Sequence, residues 1–207
     1  MTDPLDDVDW PLRTERLAIR RATVDDLPAI WEYWQTEEVT AWVTSAPQSL
    51  EDYRSRVLDL DLLRLILVVE LDGRVVGDLV LRVEDAWSQA EVRAAAHNVQ
   101  AEVGYVLDPA VAGHGYATEA VTALIDACFT QLGLRRVRAQ CFADNEPSWR
   151  LMERIGMRRE THSVKESLHR SGAWLDGFGY AVLAEEWRER QSARSMPPST
   201  GTIAPET

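Results

Sequence analysis

The sequence predicts a mixed α/β domain: one mixed sheet with helices on both faces. Three observations carry this. Strand-like and helix-like apolar periods alternate along the chain. Three successive strand patterns meander in the middle, and the later strands alternate with helices. The 207 residues, 45% of them hydrophobic, fit one domain with a real core.

In chain order, residues 16–22 form the first strand. Thr23-x-x-Asp26 resembles a capping box and opens a helix with Leu27, Ile30, Trp31 and Trp34 on one face. Ser49-x-x-Asp52 opens a second helix with Leu50, Tyr53, Val57 and Leu60 at helical spacing. Residues 65–71 are a continuous apolar run, read as a buried strand. Asp72-Gly73 is a two-residue hairpin turn, and residues 74–84 alternate. Residues 85–99 are polar and alanine-rich, an expected extended loop, and residues 101–108 are a strand ended by Pro109. From 115 to 132 the spacing of Ala117, Ala120, Val121, Leu124, Ile125, Cys128 and Phe129 predicts a helix stopped by Gly133. A strand at 136–143, a helix capped by Asn145 and ending near Gly156, and strands at 157–168 and 174–183 joined at Ser171-Gly172 complete the pattern. Residues 1–11 read as an acidic tail and 191–207 as a flexible one, both outside the core, with a single domain over 12–190.

Composition excludes several functions. There are 34 acidic and 22 basic residues, a net charge of −12, and Lys165 is the only lysine. Residues 1–109 hold 22 acids and 10 bases, and the remainder holds 12 of each, so the whole excess lies in the first half. An acidic chain is a poor general binder of nucleic acid. The longest apolar runs are about five residues, against the roughly 20 of a membrane helix, and the N-terminus lacks a secretory apolar stretch. Cys128 and Cys141 have neither framework nor metal-ligand spacing and read as buried reduced thiols of a cytoplasmic protein with no metal.

The segment that carries chemistry is Ala112-Gly113-His114-Gly115-Tyr116-Ala117-Thr118-Glu119-Ala120, between a strand and the long helix. Its glycines permit tight turns and close ligand approach, and the helix start offers free N–H groups and a positive dipole end to an anion. It reads as a cradle for a pyrophosphate or, more plainly, as a tight strand-to-helix turn. A nucleotide P-loop needs a lysine that is absent here. A dinucleotide fingerprint needs a third glycine where Thr118 stands, and a βαβ unit at the domain's start.

With these residues in place the chain resembles the GNAT superfamily of acyl-CoA-dependent N-acyltransferases, specifically its RimJ/RimL-like branch, over residues 12–187. The resemblance rests on Leu12-Arg13-Thr14-Glu15-Arg16-Leu17, Glu102-Val103-Gly104-Tyr105-Val106, the Gly113 to Ala120 segment, Asn145-Glu146-Pro147-Ser148 and Glu153-Arg154-Ile155-Gly156-Met157, in order and at the right spacing. It implies the GNAT fold, with a central mixed, mostly antiparallel sheet of about seven strands flanked by helices. It implies acetyl-CoA as acyl donor and direct transfer to a primary amine, such as a protein N-terminal α-amine. A small-molecule amine or antibiotic acetyltransferase and a non-catalytic CoA-binding module are the alternatives. A homodimer is common in the family, although no motif here specifies one.

The resemblance also implies roles. Ala112, Gly113, His114, Gly115, Tyr116, Ala117 and Thr118 bind the pyrophosphate, with Ala112 replacing the family's usual Gln or Arg. Asn145 contacts pantetheine. Arg154, with Arg150, meets the 3′-phosphate or is a solvated helix charge. A backbone N–H near Val106 or Leu107 polarises the thioester carbonyl. A tyrosine that other branches use to protonate the thiolate falls at Met152, which has no proton to give, so Ser148 takes that role. Glu102 is the first candidate for the base, with a strand-edge salt bridge as its alternative. Glu166 is the rival, and His162 a third. Trp31 and Trp34 read as core, Trp42 as lining the acceptor pocket, and Tyr105 as a substrate-side or sheet-packing aromatic. Residues 23–64 carry nine acids and three bases, so the acceptor is expected to be a cationic amine.

Overall fold

The computed structural model describes residues 3–195. Its strands are β1 (Leu12–Arg13), β2 (Leu17–Arg21), β3 (Ile66–Leu71), β4 (Arg74–Glu84), β5 (Gln100–Leu107), β6 (Arg136–Phe142), β7 (Arg158–Leu168) and β8 (Trp174–Leu183). All eight join one sheet in the order β1-β2-β3-β4-β5-β6-β8-β7. Every pairing is antiparallel except β5 with β6. The eighth strand beyond the seven expected is the two-residue β1, too short to show a period.

The helices are α1 (Leu27–Trp34), α2 (Glu37–Thr40), α3 (Leu50–Asp59), α4 (Tyr116–Thr130), α5 (Glu146–Ile155) and α6 (Ala184–Ser195). One face of the sheet packs a core with α4 and α5, through Val121, Leu124, Ile125, Leu151 and Ile155 against Leu79, Leu81 and Val103. The other packs α1 and α3, through Leu27, Ile30, Tyr33, Tyr53 and Val57 against Ile66 and Val68. Burial on both faces is why β3 reads as a continuous apolar run. Ser49 accepts from the Asp52 amide at 3.1 Å, as its capping pattern predicts. The Thr23–Asp26 box is also formed, but it caps a 3-10 turn, Val24–Asp26, that leads into α1.

Several expectations need correction. The acidic N-terminal segment is not outside the core: Leu5 and Val8 are buried in the α4–α5 layer. Asp3 and Asp6 pair with Arg21, which fixes that segment to β2. The loop at 85–99 contains a 3-10 run, Ala90–Ala96. Residues 191–195 of the expected tail continue α6, whose Trp187 packs on Phe129. The rest of that tail, 196–207, lies outside the described residues.

Among the described residues two carboxylates are buried, Asp26 and Asp78. Asp26 is paired: Arg20 grips both oxygens at 2.8 and 2.9 Å, and the Thr23 amide donates at 2.7 Å. The Arg20 bonds hold its carboxyl down to about 2. A depressed carboxylate stabilises the fold above its unfolded value near 4 and loses that contribution as pH falls toward 2. Asp26→Asn is therefore expected to lower unfolding free energy at pH 7 by on the order of 1–2 kcal/mol. Urea melts should show the deficit shrinking between pH 4 and 2.

Candidate active site

The sheet forks between β5 and β6. They pair only at Gln100↔Arg136, Ala101↔Val137 and Glu102↔Arg138. Beyond that point β5 stays with β4 as far as Gly77↔Leu107, and β6 stays with β8 as far as Phe142↔Gly177. Arg138 sits at the fork and bonds Glu84 at 2.8 Å and Glu102 at 2.6 Å. The salt bridge weighed for Glu102 is thus formed.

The fork leaves backbone groups of β5 without a sheet partner. The Asp108 amide donates to Val76 O at 2.9 Å, so residue 108 faces β4. Val106 O also faces β4, 2.8 Å from where a Cβ on Gly77 would stand. Val99 O accepts from Arg135 on the opposite side. With a period of two, Val103, Tyr105 and Leu107 direct their N–H and C=O groups into the fork. Of the two amides expected to polarise a carbonyl, Leu107 opens to the cleft and Val106 is turned into the sheet.

The glycine segment lies at the cleft's end. Gly113 and Gly115 both have φ of +81°, and Gly115 caps α4 with no side-chain bond. Among the described residues the Tyr116, Ala117 and Thr118 amides begin the helix without a bond from the Gly115 cap or to the backbone of a preceding turn. His114 stacks on Tyr116 with ring centroids 5.7 Å apart. Arg16 braces the turn: it bonds His114 O at 3.0 Å and Glu119 at 2.8 Å, and covers the Tyr116 ring at 4.5 Å. That bracing joins residues 98 apart in sequence, and no local pattern signals it. Arg154 reaches Thr118 Oγ1 at 3.3 Å, beside the same helix start, whereas Arg150 is paired with Glu146 at 2.5 Å. Glycine turns, free amides, open strand edge and a nearby arginine together fit a phosphorylated, pantetheine-bearing acyl donor.

α5 supplies the other wall. Asn145 caps it, accepting from the Ser148 amide at 3.3 Å. Ser148 Oγ lies 2.9 Å from the Tyr105 hydroxyl, which donates to Ser148 O at 3.0 Å. Tyr105 is thus tied to Ser148. Cys141 is adjacent; burial pushes its thiol up to about 11, and a bond with Ser148 pulls the other way. Met152 is buried in the core.

A cavity of about 680 Å³ runs from the fork toward α1 and α3, and its lining includes Trp34, Trp42, Asp78, Glu102 and Ser148. Trp42 packs near Phe142 and His169 at 6.2 and 5.7 Å. His169 Nε2 donates to Ala41 O at 2.8 Å and Arg170 to Val43 O at 2.5 Å, which ties the β7–β8 hairpin to the α2–α3 linker. Trp34, read as core, packs against the α1–α3 core and also lines this cavity and donates to Asp78. Glu166 is exposed on the outermost strand, at a bulge, and does not line the cleft. His162 is exposed and paired with Asp176 at 2.6 Å. Asp78 was missed by sequence reasoning; a carboxylate between Gly77 and Leu79, inside an apolar strand, is the signal that could have found it. Among the described residues no group of His, Cys, Asp and Glu could hold a metal ion, and no helix is long and apolar enough to cross a membrane.

Residues 16–158 match the family model of the acetyltransferase (GNAT) domain. The chain is 30% identical to the N-acetyltransferase YnaD of Bacillus subtilis, over 85% of this chain and 98% of that protein. Its fold superposes on a GNAT-family acetyltransferase from Bacillus anthracis with a TM-score of 0.71 at 32% identity, covering 84% of this chain and 99% of the other. RimL, a ribosomal alpha-N-protein acetyltransferase solved with coenzyme A, shares the fold at a TM-score of 0.68 and 19% identity, over 84% of this chain and 97% of that one. The eight-stranded forked sheet and these matches agree, and the chain belongs to the GNAT acetyltransferase family, an acyltransferase of the N-acetyltransferase kind.

Proposed function

We propose that the protein transfers an acetyl group from acetyl-CoA to a primary amine on a cationic acceptor, with the α-amine of a protein N-terminus as the leading class. The observation that carries this reading is the fork: unpartnered β5 amides open beside the free first turn of α4. The Gly113–Gly115 turn, the amides of Tyr116, Ala117 and Thr118, and Arg154 hold the phosphates. Asn145 and the edge of β5 align the pantetheine arm. The Leu107 N–H polarises the thioester carbonyl, and holding amine and thioester together supplies much of the remaining acceleration. Ser148 protonates the departing thiolate. Glu102 shares Arg138 with Glu84, which suits it to pinning the fork rather than to taking a proton. A free peptide α-amine ionises at about 7.7–8.0, so deprotonation near neutral pH asks little of a base.

Calorimetric titration with acetyl-CoA, followed by thiol release across alaninamide, short peptides, free amino acids and polyamines, tests the reading. Binding plus turnover with α-amines supports it. Turnover only with small polyamines or amino acids replaces the acceptor class, binding without turnover favours a non-catalytic module, and no binding overturns the proposal. The acidic excess of residues 1–109 should draw a cationic acceptor, so kcat/KM for the acceptor is expected to fall as salt rises from about 20 to about 500 mM. A salt-insensitive kcat/KM would return that acidity to a matter of solubility.

A further inference from the structure

Asp78 is 2% exposed, yet it lines the acceptor side of the cavity. It stands on β4 directly across from Val106, one residue before Leu107, on the sheet face that packs α1 and α3. Tyr33 Oη donates to its Oδ1 at 2.9 Å and Trp34 Nε1 donates to the same oxygen at 2.7 Å. Among the described residues Oδ2 has no hydrogen-bond donor. It is also not among the fully buried polar atoms left without a partner, so it keeps contact with the cavity. The ion pairs of the described residues include none to Asp78, whereas buried Asp26 has Arg20. A carboxylate kept in an apolar strand with neutral donors on one oxygen and a cavity on the other lacks a cation. Arg56 and Arg82 line the same cavity, but neither forms an ion pair with Asp78, and the cavity admits a cation.

We infer that Asp78 is a catalytic residue of this acetyltransferase: its Oδ2 receives the acceptor's ammonium group and takes its proton. The inference rests on the amine-acetyltransferase reading above and names the residue that meets the amine. One N–H proton passes to Oδ2 and frees the nitrogen lone pair. That pair attacks the thioester carbonyl carbon, the C–N bond forms and the C–S bond breaks, and sulfur leaves with the electron pair. Ser148 gives its proton to the departing thiolate, the second nitrogen proton passes to solvent, which restores the serine proton, and Asp78 later releases its own proton to solvent.

Burial pushes the Asp78 carboxyl up to about 6, against the pull of Trp34 and Tyr33. The other titratable and charged groups around the cavity are Tyr33 of α1, Glu38 of α2, Tyr53 and Arg56 of α3, Arg82 of its own strand, Glu102, Tyr105 and Asp108 in and after β5, and Cys141 of β6. A carboxyl raised in the folded state binds its proton more tightly there, so its ionisation lowers stability as pH rises from about 4 through 6. Such a group is kept against stability, as functional sites often are.

The test uses Asp78→Asn, which keeps an acceptor for both donors and removes the charge. With alaninamide as acceptor, kcat/KM is expected to fall at least about 100-fold at pH 6.5 while acetyl-CoA affinity stays within about twofold. The wild-type acidic limb near pH 6 should vanish, with residual activity rising in step with the neutral amine. Independently of turnover, the Trp34 indole N–H signal in NMR should titrate near pH 6 in the wild type and not in Asp78→Asn. The variant should also melt higher than wild type at pH 8 and equally at pH 4. Tyr33→Phe removes a donor to the ionised form, so the limb and the NMR midpoint should both move to higher pH, which a purely structural aspartate would not produce on the limb. A wild type active on alaninamide with Asp78→Asn equally active overturns the inference and leaves the acetyltransferase reading intact. Should Asp78→Asn fail to fold, an unmoved limb in Tyr33→Phe overturns it. A wild type inactive on every amine would instead remove the reading beneath it.

Discussion

Gly115→Val is expected to abolish measurable acetyl-CoA binding in calorimetry while leaving the far-UV circular dichroism of the domain unchanged. Gly115 caps α4 at φ +81°, a backbone region that a β-branched residue adopts only at a penalty of roughly 1–3 kcal/mol. The body of α4 does not release that strain by unfolding, because Ala120, Val121, Leu124, Ile125, Cys128 and Phe129 are buried along it. The relief comes from turning the peptide at residue 115, and that rotates the first amides of the helix away from the cleft. Charge-assisted N–H bonds to a phosphate contribute about 1.5–3 kcal/mol each, so losing two lowers affinity more than 100-fold. The space is not the obstacle, since the nearest heavy atom to a Cβ there, Arg16 Nη2, is 3.7 Å away. Gly133→Ala is the control. Gly133 follows the other end of α4 with φ +63° and nothing within 4 Å of its Cβ position, so it should lower stability and leave acetyl-CoA affinity unchanged. Binding by Gly115→Val within threefold of wild type would sink this account of the cradle.

Gly115 was legible because glycine, turn and helix start are neighbours in sequence. The same holds for α4, whose apolar positions repeat over four turns, and for Asn145, which caps the helix that begins beside it. What stayed hidden depends on contacts between distant elements. Leu5 and Val8 sit among four aspartates in residues 1–9, and composition there outweighs two apolar side chains that find a core only after β2 and α4 assemble. The α6 segment offers Ala184 and Trp187 in a run of charges, so its helical period is too weak to read. Glu102 stands at the fork, but alternation along one strand does not show that Arg138 of β6 takes its carboxylate. Trp34 and Asp78 lie 44 residues apart, and their bond depends on α1 docking against β4. The anion end of the site is local, and the acceptor end is tertiary.

The other large effect concerns the leaving group. Ser148→Ala is expected to lower the single-turnover rate at pH 7 by about 10- to 100-fold, with acetyl-CoA affinity nearly intact. A thiol has an ordinary pKa of about 8.5, so at pH 7 sulfur departs more readily with a proton than as free thiolate. Tyr105 has one hydroxyl proton and spends it on Ser148 O at 3.0 Å. Either hydroxyl can donate in the 2.9 Å contact between them, so with the tyrosine proton on Ser148 O the serine proton is the shared one, and a rotation about its Cβ–Oγ bond turns it toward the fork. Tyr105→Phe leaves the serine proton in place and should cost less activity than Ser148→Ala. The deficit of Ser148→Ala should also shrink above pH 8.5, where the thiolate leaves unprotonated. A helix-capping role alone predicts none of this: the cap bond runs from the Ser148 amide to Asn145, and alanine keeps that amide. Full activity of Ser148→Ala at pH 7, with chemistry shown to limit the turnover, would remove Ser148 as the proton donor and leave the proton to solvent.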